Sequence, residues 1–520
     1  MARKAYHSHE HFDDILHFWA AERPDGIAFE QDDDRITYRE TDHLTRQLIA
    51  WLKARGIAKG DRIAWLGKNE VMYFLAYLAA ARMGAVMVPI GWRLAAPEIA
   101  FILTDTGAKL VIAGHDFVDL VRQVAEQVPA QPQVVAGATA RAEAAALDPV
   151  PYTPPTRDEP VLQLYTSGTT GNPKGAMLSN RNLLGTRNNG IAAGLPWNFY
   201  EPDDCILICM PCAHIGGTGL MNIGVANGVR NLVQAEFTPT GVLAAIESGA
   251  THLFIVPAAL QMVVQHPQAA TTDFSHLKFL MYGAAPMPLE LLKQAVATMP
   301  NAGFLQAYGM TETSGTISAL LPEDHTLEGN QRMRSAGKAL PGVQIEVRGP
   351  DNVEVPRGTI GEVCILSPTN TAGYWQLPEA TAKTIDPDGW LHTGDAGIMD
   401  DDGYIYIQDR IKDMIISGGE NVYPAEVENA IFGHPAVAEV AVIGVPSATW
   451  GEEVKACVVP KPGATIDEAD IIAWARSRIA AFKAPKSVDV IPLMPRNASG
   501  KILRRELRAP YWEGQERQVS

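Results

Sequence analysis

Cysteine is scarce in this chain, with five residues in 520, which is too few for the disulfide framework of a small secreted scaffold. Long apolar runs are missing as well. The strongest candidate, Leu75 to Ile90, is interrupted by Arg82 and Gly84, so it reads as a buried helix leading into a buried strand rather than a membrane span. Met1 to Glu10 lacks the apolar stretch of a signal peptide, and a cytoplasmic location is expected. Basic residues are outnumbered, 43 against 59 acidic, and the net charge of −16 repels phosphodiester backbones and anionic lipid. Nucleic acid is therefore not an expected partner; peripheral membrane contact through a local patch stays open. The densest basic cluster, Lys501 to Arg508, is interleaved with leucine and reads as one helix face. Internal repeats and long low-complexity tracts are also lacking. What remains is ordinary globular composition, 47% hydrophobic and 20% charged, in a chain long enough for about three or four domain-sized units.

Three of the cysteines, Cys205, Cys209 and Cys212, have the C-x3-C-x2-C spacing of iron–sulfur enzymes that use S-adenosylmethionine. The residues between them, Ile206-Leu207-Ile208 and Met210-Pro211, form a strand-like apolar run, whereas cluster ligands need a loop that wraps the metal. Free cysteines packed as small hydrophobes are the favoured reading.

The most informative segment is Thr166-Ser167-Gly168-Thr169-Thr170-Gly171-Asn172-Pro173-Lys174-Gly175, which follows the apolar run Val161 to Tyr165. Glycines let backbone N–H groups turn onto an anion, hydroxyls add donors, and a lysine supplies compact positive charge. This is the composition of a polyphosphate loop. It is not the common P-loop, because Asn172 and Pro173 separate Gly171 from Lys174.

From Arg35 to Ala113 strand-like and helix-like segments alternate: Ile36 to Tyr38, a helix to Arg55, Arg62 to Leu66, a helix to Met83, Val86 to Pro89, a further helix, and Leu110 to Ile112. The pattern predicts α/β layering. Residues 136–156, Ala-rich and then carrying Pro149, Pro151, Pro154 and Pro155, predict a connector without helix or central strand. The α/β texture resumes from Val161 to about Ile407, with turns that follow apolar segments, where open sheets bind ligands. Asp400 to Gly403 predicts a hairpin turn. Beyond a boundary near Lys412 a compact α+β unit is expected, with strands at Val437 to Val445 and Val454 to Val459, a helix at Glu468 to Ala481 and a last loop-to-helix element at Asn497 to Arg508.

Four further segments follow the phosphate loop in order: Gln306-Ala307-Tyr308-Gly309-Met310-Thr311-Glu312-Thr313, Trp390-Leu391-His392-Thr393-Gly394-Asp395, Asp409-Arg410-Ile411-Lys412-Asp413 and Pro495-Arg496-Asn497-Ala498-Ser499-Gly500-Lys501. With these motifs the chain resembles the adenylate-forming superfamily, specifically its acyl-CoA synthetases, over nearly its whole length. The resemblance implies a large N-terminal AMP-binding domain, residues 1–411, of layered sheets and helices, and a small mobile α+β domain, residues 412–520. It implies two steps: a carboxylate attacks the α-phosphate of ATP and expels pyrophosphate, then a thiol displaces AMP from the acyl adenylate.

Carried onto this sequence, the resemblance assigns Thr166, Ser167, Gly168, Thr169, Thr170, Gly171 and Lys174 to the β- and γ-phosphates. Glu312 matches the Mg²⁺ residue, and a hard cation bridging phosphates typically takes one or two carboxylates plus waters. Tyr308, with Ala307 and Gly309, faces the adenine beside Gly283-Ala284-Ala285-Pro286, and Thr311 approaches the α-phosphate. Asp395 accepts from both ribose hydroxyls, work suited to an acceptor-only carboxylate, and Arg410 adds ribose or phosphate contacts. Lys501 matches the adenylation lysine and Lys412 the hinge, about which Ser417-Gly418-Gly419-Glu420 would swing in for CoA. The acyl pocket involves His214, Gly216, Gly217, Thr218, the neighbourhood of Pro257 to Met262, Tyr282 and Gly283. Glycines there leave room for a long chain or bulky ring, and His214 reads equally as a gate or a packed structural residue. No Lys or Arg in these segments awaits a second carboxylate.

The expectation is an ATP- and Mg²⁺-dependent carboxylic acid:CoA ligase acting on medium- or long-chain fatty acids. An aryl, hydroxycinnamate-type or steroid side-chain CoA ligase, or an adenylation enzyme loading a carrier protein, stands beside it. The partners expected are a small carboxylic acid, ATP and CoA, with a homodimer left open.

Overall fold

The computed structural model describes residues 9–166, 172–496 and 502–513. The expected alternation is present: Asp34–Thr37, helix Tyr38–Ala54, Arg62–Leu66, helix Val71–Met83, Val86–Ile90, helix Ala96–Thr106 and Leu110–Ala113. Local chemistry starts and stops these elements. Helix Tyr38–Ala54 opens on a capping box, the Thr37 hydroxyl accepting from Glu40 N–H while the Glu40 carboxylate accepts from Thr37 N–H. Helix Val71–Met83 is apolar on all sides and buried throughout, as a central helix must be. Its one charge, Arg82, is fully buried on Asp13 and Asp42 at 2.7 and 2.9 Å.

Two sheets carry most of the chain. A six-stranded sheet runs Gln133–Ala136, Leu110–Ala113, Arg62–Leu66, Val86–Ile90, Pro160–Thr166, Lys174–Ser179, parallel except for the last strand. A nine-stranded sheet has a parallel centre that includes Cys205–Ile208, His252–Ile255, Phe279–Gly283 and Gly303–Met310, with antiparallel strands at both edges. A four-stranded antiparallel sheet follows, Gln344–Arg348, Ile360–Leu366, Leu391–Met399 and Ile405–Arg410, its last hairpin turning at the expected Asp400 to Gly403. The C-terminal α+β unit is built on a five-stranded sheet that includes Val437–Ser447 and Gly451–Pro460. The fold is thus α/β, with a large N-terminal sheet domain and a small C-terminal one.

Two expectations need correction. The connector is not free of helix: Gly137–Ala145 is helical, because its alanines are strong helix formers and the prolines begin only at Pro149. The helix expected to reach Ala481 ends at Arg476, where Ser477 turns its hydroxyl back onto Trp474 C=O. The three spaced cysteines behave as hydrophobes. Cys205 and Cys209 pack in one core and Cys212 in another, and burial pushes the first two thiols up to about 11 and about 12. No helix among the described residues is long and apolar enough to cross a membrane.

Candidate active site

Parallel register brings the Gly283 to Pro286 segment beside the Gln306 to Thr313 motif. Gly283 pairs with Ala307 and Tyr282 with Gln306 at the carboxyl ends of adjacent strands, the position where open α/β sheets bind ligands. Gly283 has no substitute there, since a Cβ would lie 2.0 Å from Ala307 O. Ala284 follows in a left-handed conformation, φ +67, and is exposed together with Pro286. A register shift between Tyr308 and Gly309 then bends the strand end, and Thr311–Thr313 forms a single helical turn that carries Glu312.

Glu312 is 5% exposed. Its Oε1 accepts from Tyr374 Oη at 2.8 Å and from Thr166 Oγ1 at 3.2 Å. Thr166 and Lys174 are opposed across their two strands, so the residue that meets this carboxylate is the register partner of the loop's lysine. Lys174 Nζ sits 5.0 Å from the Tyr374 ring centre. The segment around Tyr374 is stitched to both sides: Thr371 N–H donates to Glu312 C=O at 2.7 Å, and Trp375 N–H donates to Gly175 C=O at 2.8 Å. Sequence reasoning missed Tyr374. Its one signal was an aromatic pair directly after Gly373. The donor set at Glu312, hard oxygens beside a lysine, fits a magnesium-chelated polyphosphate.

The second cluster is centred on Asp395, which is 5% exposed. Its register partner is Arg410, whose Nε lies 2.7 Å from Asp395 Oδ1 while its Nη1 donates to Thr393 C=O at 2.9 Å. Tyr308 Oη donates to Asp395 Oδ2 at 2.7 Å. Burial and this carboxylate hold the Tyr308 phenol well above its ordinary pKa. Three residues read from three separate motifs therefore converge through direct contacts.

Lys412 is exposed, and the carboxylates of Asp409 and Asp413 on either side of it are gripped by the helix Arg504–Arg508. Arg504 forks onto Glu428, with Nη2 2.8 Å from both oxygens, and its Nη1 lies 3.7 Å from Asp409 and 3.9 Å from Asp413. Arg508 takes Asp413 at 3.0 Å. Burial raises the Asp409 pKa to about 6 despite the opposing pull of Arg504. The described part of the basic cluster is helical from Arg504 to Arg508, and two of its arginines are committed to carboxylates.

Ser417-Gly418-Gly419-Glu420 is the tight turn of the hairpin Ile415–Ser417 and Glu420–Val422. Both glycines have positive φ, +63 and +85, as a two-residue turn of this kind demands. The Trp450 ring, half exposed, covers Gly418 so closely that a Cβ there would meet it at 2.7 Å. Trp450 is a second residue that sequence reasoning passed over.

The segments expected to line an acyl pocket are only partly suited to that role. Gly217 does not open a wall: a Cβ would lie 2.4 Å from Pro211 O, so this glycine lets the helix Ile215–Asn227 start against the preceding backbone. At Gly216 a Cβ would meet the Phe254 ring at 2.8 Å. Thr218 is fully buried, 2.7 Å from Tyr73 Oη and donating to Cys212 C=O at 2.7 Å, which makes it a core residue. Tyr282 is also fully buried, with Oη 2.8 Å from His325 Nε2. His214 immediately precedes the helix Ile215–Asn227 and is partly exposed. Ser167 to Gly171 and Lys501 lie outside the described residues.

Comparison with known proteins agrees with this geometry. The family model for the AMP-binding enzyme matches residues 16–375, and that for the AMP-binding enzyme C-terminal domain matches residues 426–501. The chain is 40% identical to the fatty acid–[acyl-carrier-protein] ligase ScoC of Streptomyces coeruleorubidus over 93% of each protein. It is 37% identical to a feruloyl-CoA synthase of an Amycolatopsis species, over 94% of this chain and 96% of that protein. ATP-bound MatB from Rhodopseudomonas palustris superposes with a TM-score of 0.87 at 32% identity, covering 96% of this chain and 99% of that one. The apo form of MatB superposes less well, at 0.76, so the chain lies nearer the ATP-bound arrangement. The chain belongs to the AMP-binding enzyme family of the adenylate-forming superfamily and is an acid–thiol ligase of its acyl- and aryl-CoA ligase group.

Proposed function

We propose that this ligase activates a monocarboxylic, largely apolar acid, a medium- or long-chain fatty acid, as its adenylate and passes the acyl group to CoA. The observation that carries the adenylation reading is the pair of clusters that the motif residues form, Thr166, Lys174 and Glu312 in one and Tyr308, Asp395 and Arg410 in the other. A carboxylate oxygen bonds to the α-phosphorus and the bond to the pyrophosphate oxygen breaks. Phosphoryl and nucleotidyl transfers rest on positioning and charge neutralisation, without a protein nucleophile. Thr166 and Lys174 hold the leaving pyrophosphate, and Thr311 faces the α-phosphate. Mg²⁺, when bound at Glu312, supplies neutralisation of the phosphate oxygens. Asp395 orients the ribose by exchanging its bond from Tyr308 for the sugar hydroxyls, and Arg410 keeps the carboxylate aimed. Lys501 adds positive charge at the α-phosphate from the C-terminal domain, taken to begin at Lys412. In the second step the thiol sulfur attacks the acyl carbon and AMP leaves, with Ser417 to Glu420 and Trp450 beside the incoming thiol.

The preference for an apolar acid rests on the remaining expected lining, His214 to Gly216 and Pro257 to Met262, which contains no Lys or Arg. Likeness to a fatty acid ligase supports it. Acid-dependent pyrophosphate exchange over a panel of fatty, hydroxycinnamic and steroid side-chain acids tests the proposal; best turnover with hydroxycinnamates would overturn the fatty acid assignment. The same relative acts on an acyl-carrier protein by its name, which favours one second reading, transfer to a carrier thiol. Acyl-AMP that persists with free CoA and clears only when carrier is added would establish that reading instead.

A further inference from the structure

Three side chains with no part in the nucleotide site converge on the antiparallel sheet. Cys364 and His392 are direct register partners across Ile360–Leu366 and Leu391–Met399, and Cys364 Sγ lies 3.5 Å from His392 Nδ1. Glu362 Oε2 lies 2.9 Å from the same nitrogen, and the three candidate ligand atoms are all within 4.8 Å of one another. For a tetrahedral zinc ion, with sulfur at about 2.3 Å and nitrogen at about 2.0–2.1 Å, the ligand sulfur and nitrogen are about 3.5 Å apart. The register pair already has that separation.

The surroundings suit a dication in four respects. Glu362 is held by its other oxygen, which accepts from Gly394 N–H at 2.9 Å, so Oε2 stays turned toward the histidine. On the far side of the ring, His392 Nε2 is 3.8 Å from Asp386 Oδ2, where a ligating histidine needs an acceptor for its remaining N–H. Asp386 is itself fixed by Asp388 N–H, Trp390 N–H and Arg348. Glu346 and Asp386 share one guanidinium, that of Arg348, and Glu362 is a third carboxylate, at the register position opposite Arg348, which leaves a local excess of negative charge. Cys364 is buried, while the His392 and Glu362 side chains are 23% and 25% exposed, giving an entry path and a solvent side for a fourth ligand.

We propose that Glu362, Cys364 and His392 form a zinc-binding site. The soft sulfur and the imidazole separate it chemically from the all-oxygen surroundings of Glu312. Binding releases the Cys364 thiol proton to solvent, and the imidazole proton moves to Nε2, toward Asp386.

Chelator-stripped full-length protein titrated with Co²⁺ tests the proposal. The expected result is a thiolate-to-cobalt charge-transfer band that saturates at one ion per chain, is displaced by Zn²⁺, is lost in Cys364→Ser and is retained in Cys457→Ser. His392→Gln and Glu362→Gln should each weaken binding at least tenfold. Absence of the band, or its persistence in Cys364→Ser, overturns the site. Should Cys364→Ser fail to fold, X-ray absorption on zinc-loaded unmutated protein decides: one sulfur in the first shell supports the proposal, and none overturns it.

Discussion

Tyr374 donates a 2.8 Å hydrogen bond to Glu312 Oε1 from a loop 62 residues further along the chain. The bond fixes one carboxylate oxygen while the Tyr374 ring lies near Lys174, so a single side chain spans the carboxylate and the lysine of the proposed phosphate site.

Tyr374→Phe keeps the ring and removes the hydroxyl. A hydrogen bond to a charged group contributes roughly 1.5–3 kcal/mol, so adenylation efficiency should fall at least about tenfold. The half-saturating Mg²⁺ concentration for pyrophosphate exchange should rise with it. An unchanged Mg²⁺ dependence would show that Tyr374 serves packing alone.

Arg410→Lys retains the charge but not the fork that reaches both Asp395 and Thr393 C=O. ATP binding should weaken by about tenfold, about 1.4 kcal/mol, with fold stability little changed. Isothermal titration with ATP in the absence of acid gives the answer, and wild-type affinity would remove Arg410 from the nucleotide site.

Arg504→Met strips the cation from a buried group of three carboxylates, Asp409, Asp413 and Glu428. Breaking such a group costs about 3–5 kcal/mol. Thermal unfolding of the C-terminal unit should move sharply downward, and adding Glu428→Gln to the variant should recover part of the loss. Additive effects of the two changes would contradict direct coupling.

Trp450→Ala uncovers Gly418 at the hairpin turn. Single-turnover assays should show acyl-adenylate formation within about twofold of the parent enzyme and thioester formation slowed by at least tenfold, about 1.4 kcal/mol. Equal slowing of both half-reactions would dissociate Trp450 from the thiol step.

Acid should destabilise the fold through two buried histidines. His325 accepts from Tyr282 at one ring nitrogen and faces Leu321 C=O at 2.8 Å with the other, while His252 packs between Tyr200 and Phe279. Burial lowers both to about 4, so each is neutral when folded and takes up a proton more readily when unfolded. Their stabilisation is complete above about pH 6.5 and is lost as the pH falls toward 4, on the order of 3 kcal/mol for each. Melting temperatures at pH 7.5 and 4.5 should diverge less in His325→Gln than in the parent; equal divergence would exclude His325.

Most of the architecture was legible because hydrophobic period and stop signals coincide, as at Thr37 and Gly84. The connector was misread where composition was averaged across a boundary: alanines favour helix up to Ala145, and prolines forbid it only beyond Pro149. In the site, Glu312, Asp395 and Arg410 could be read from motifs, since their chemistry is local to a few neighbours in sequence. Tyr374 and Trp450 could not, because each acts across a fold contact that has no local signature. Gly217 shows the converse error. A glycine in sequence says that space is restricted or needed, and only the Pro211 carbonyl 2.4 Å from its missing Cβ says which.

Ala284 stands at the adenine edge of the proposed nucleotide site with φ +67, a left-handed dihedral that costs a side-chain-bearing residue about 1–2 kcal/mol. That energy is present before any ligand arrives. The protein therefore holds its nucleotide edge at the expense of global stability, and the two properties share one torsion angle. Replacement by glycine would relax the torsion and let this edge wander, so that a sturdier fold and a looser nucleotide grip would come from the same missing methyl group.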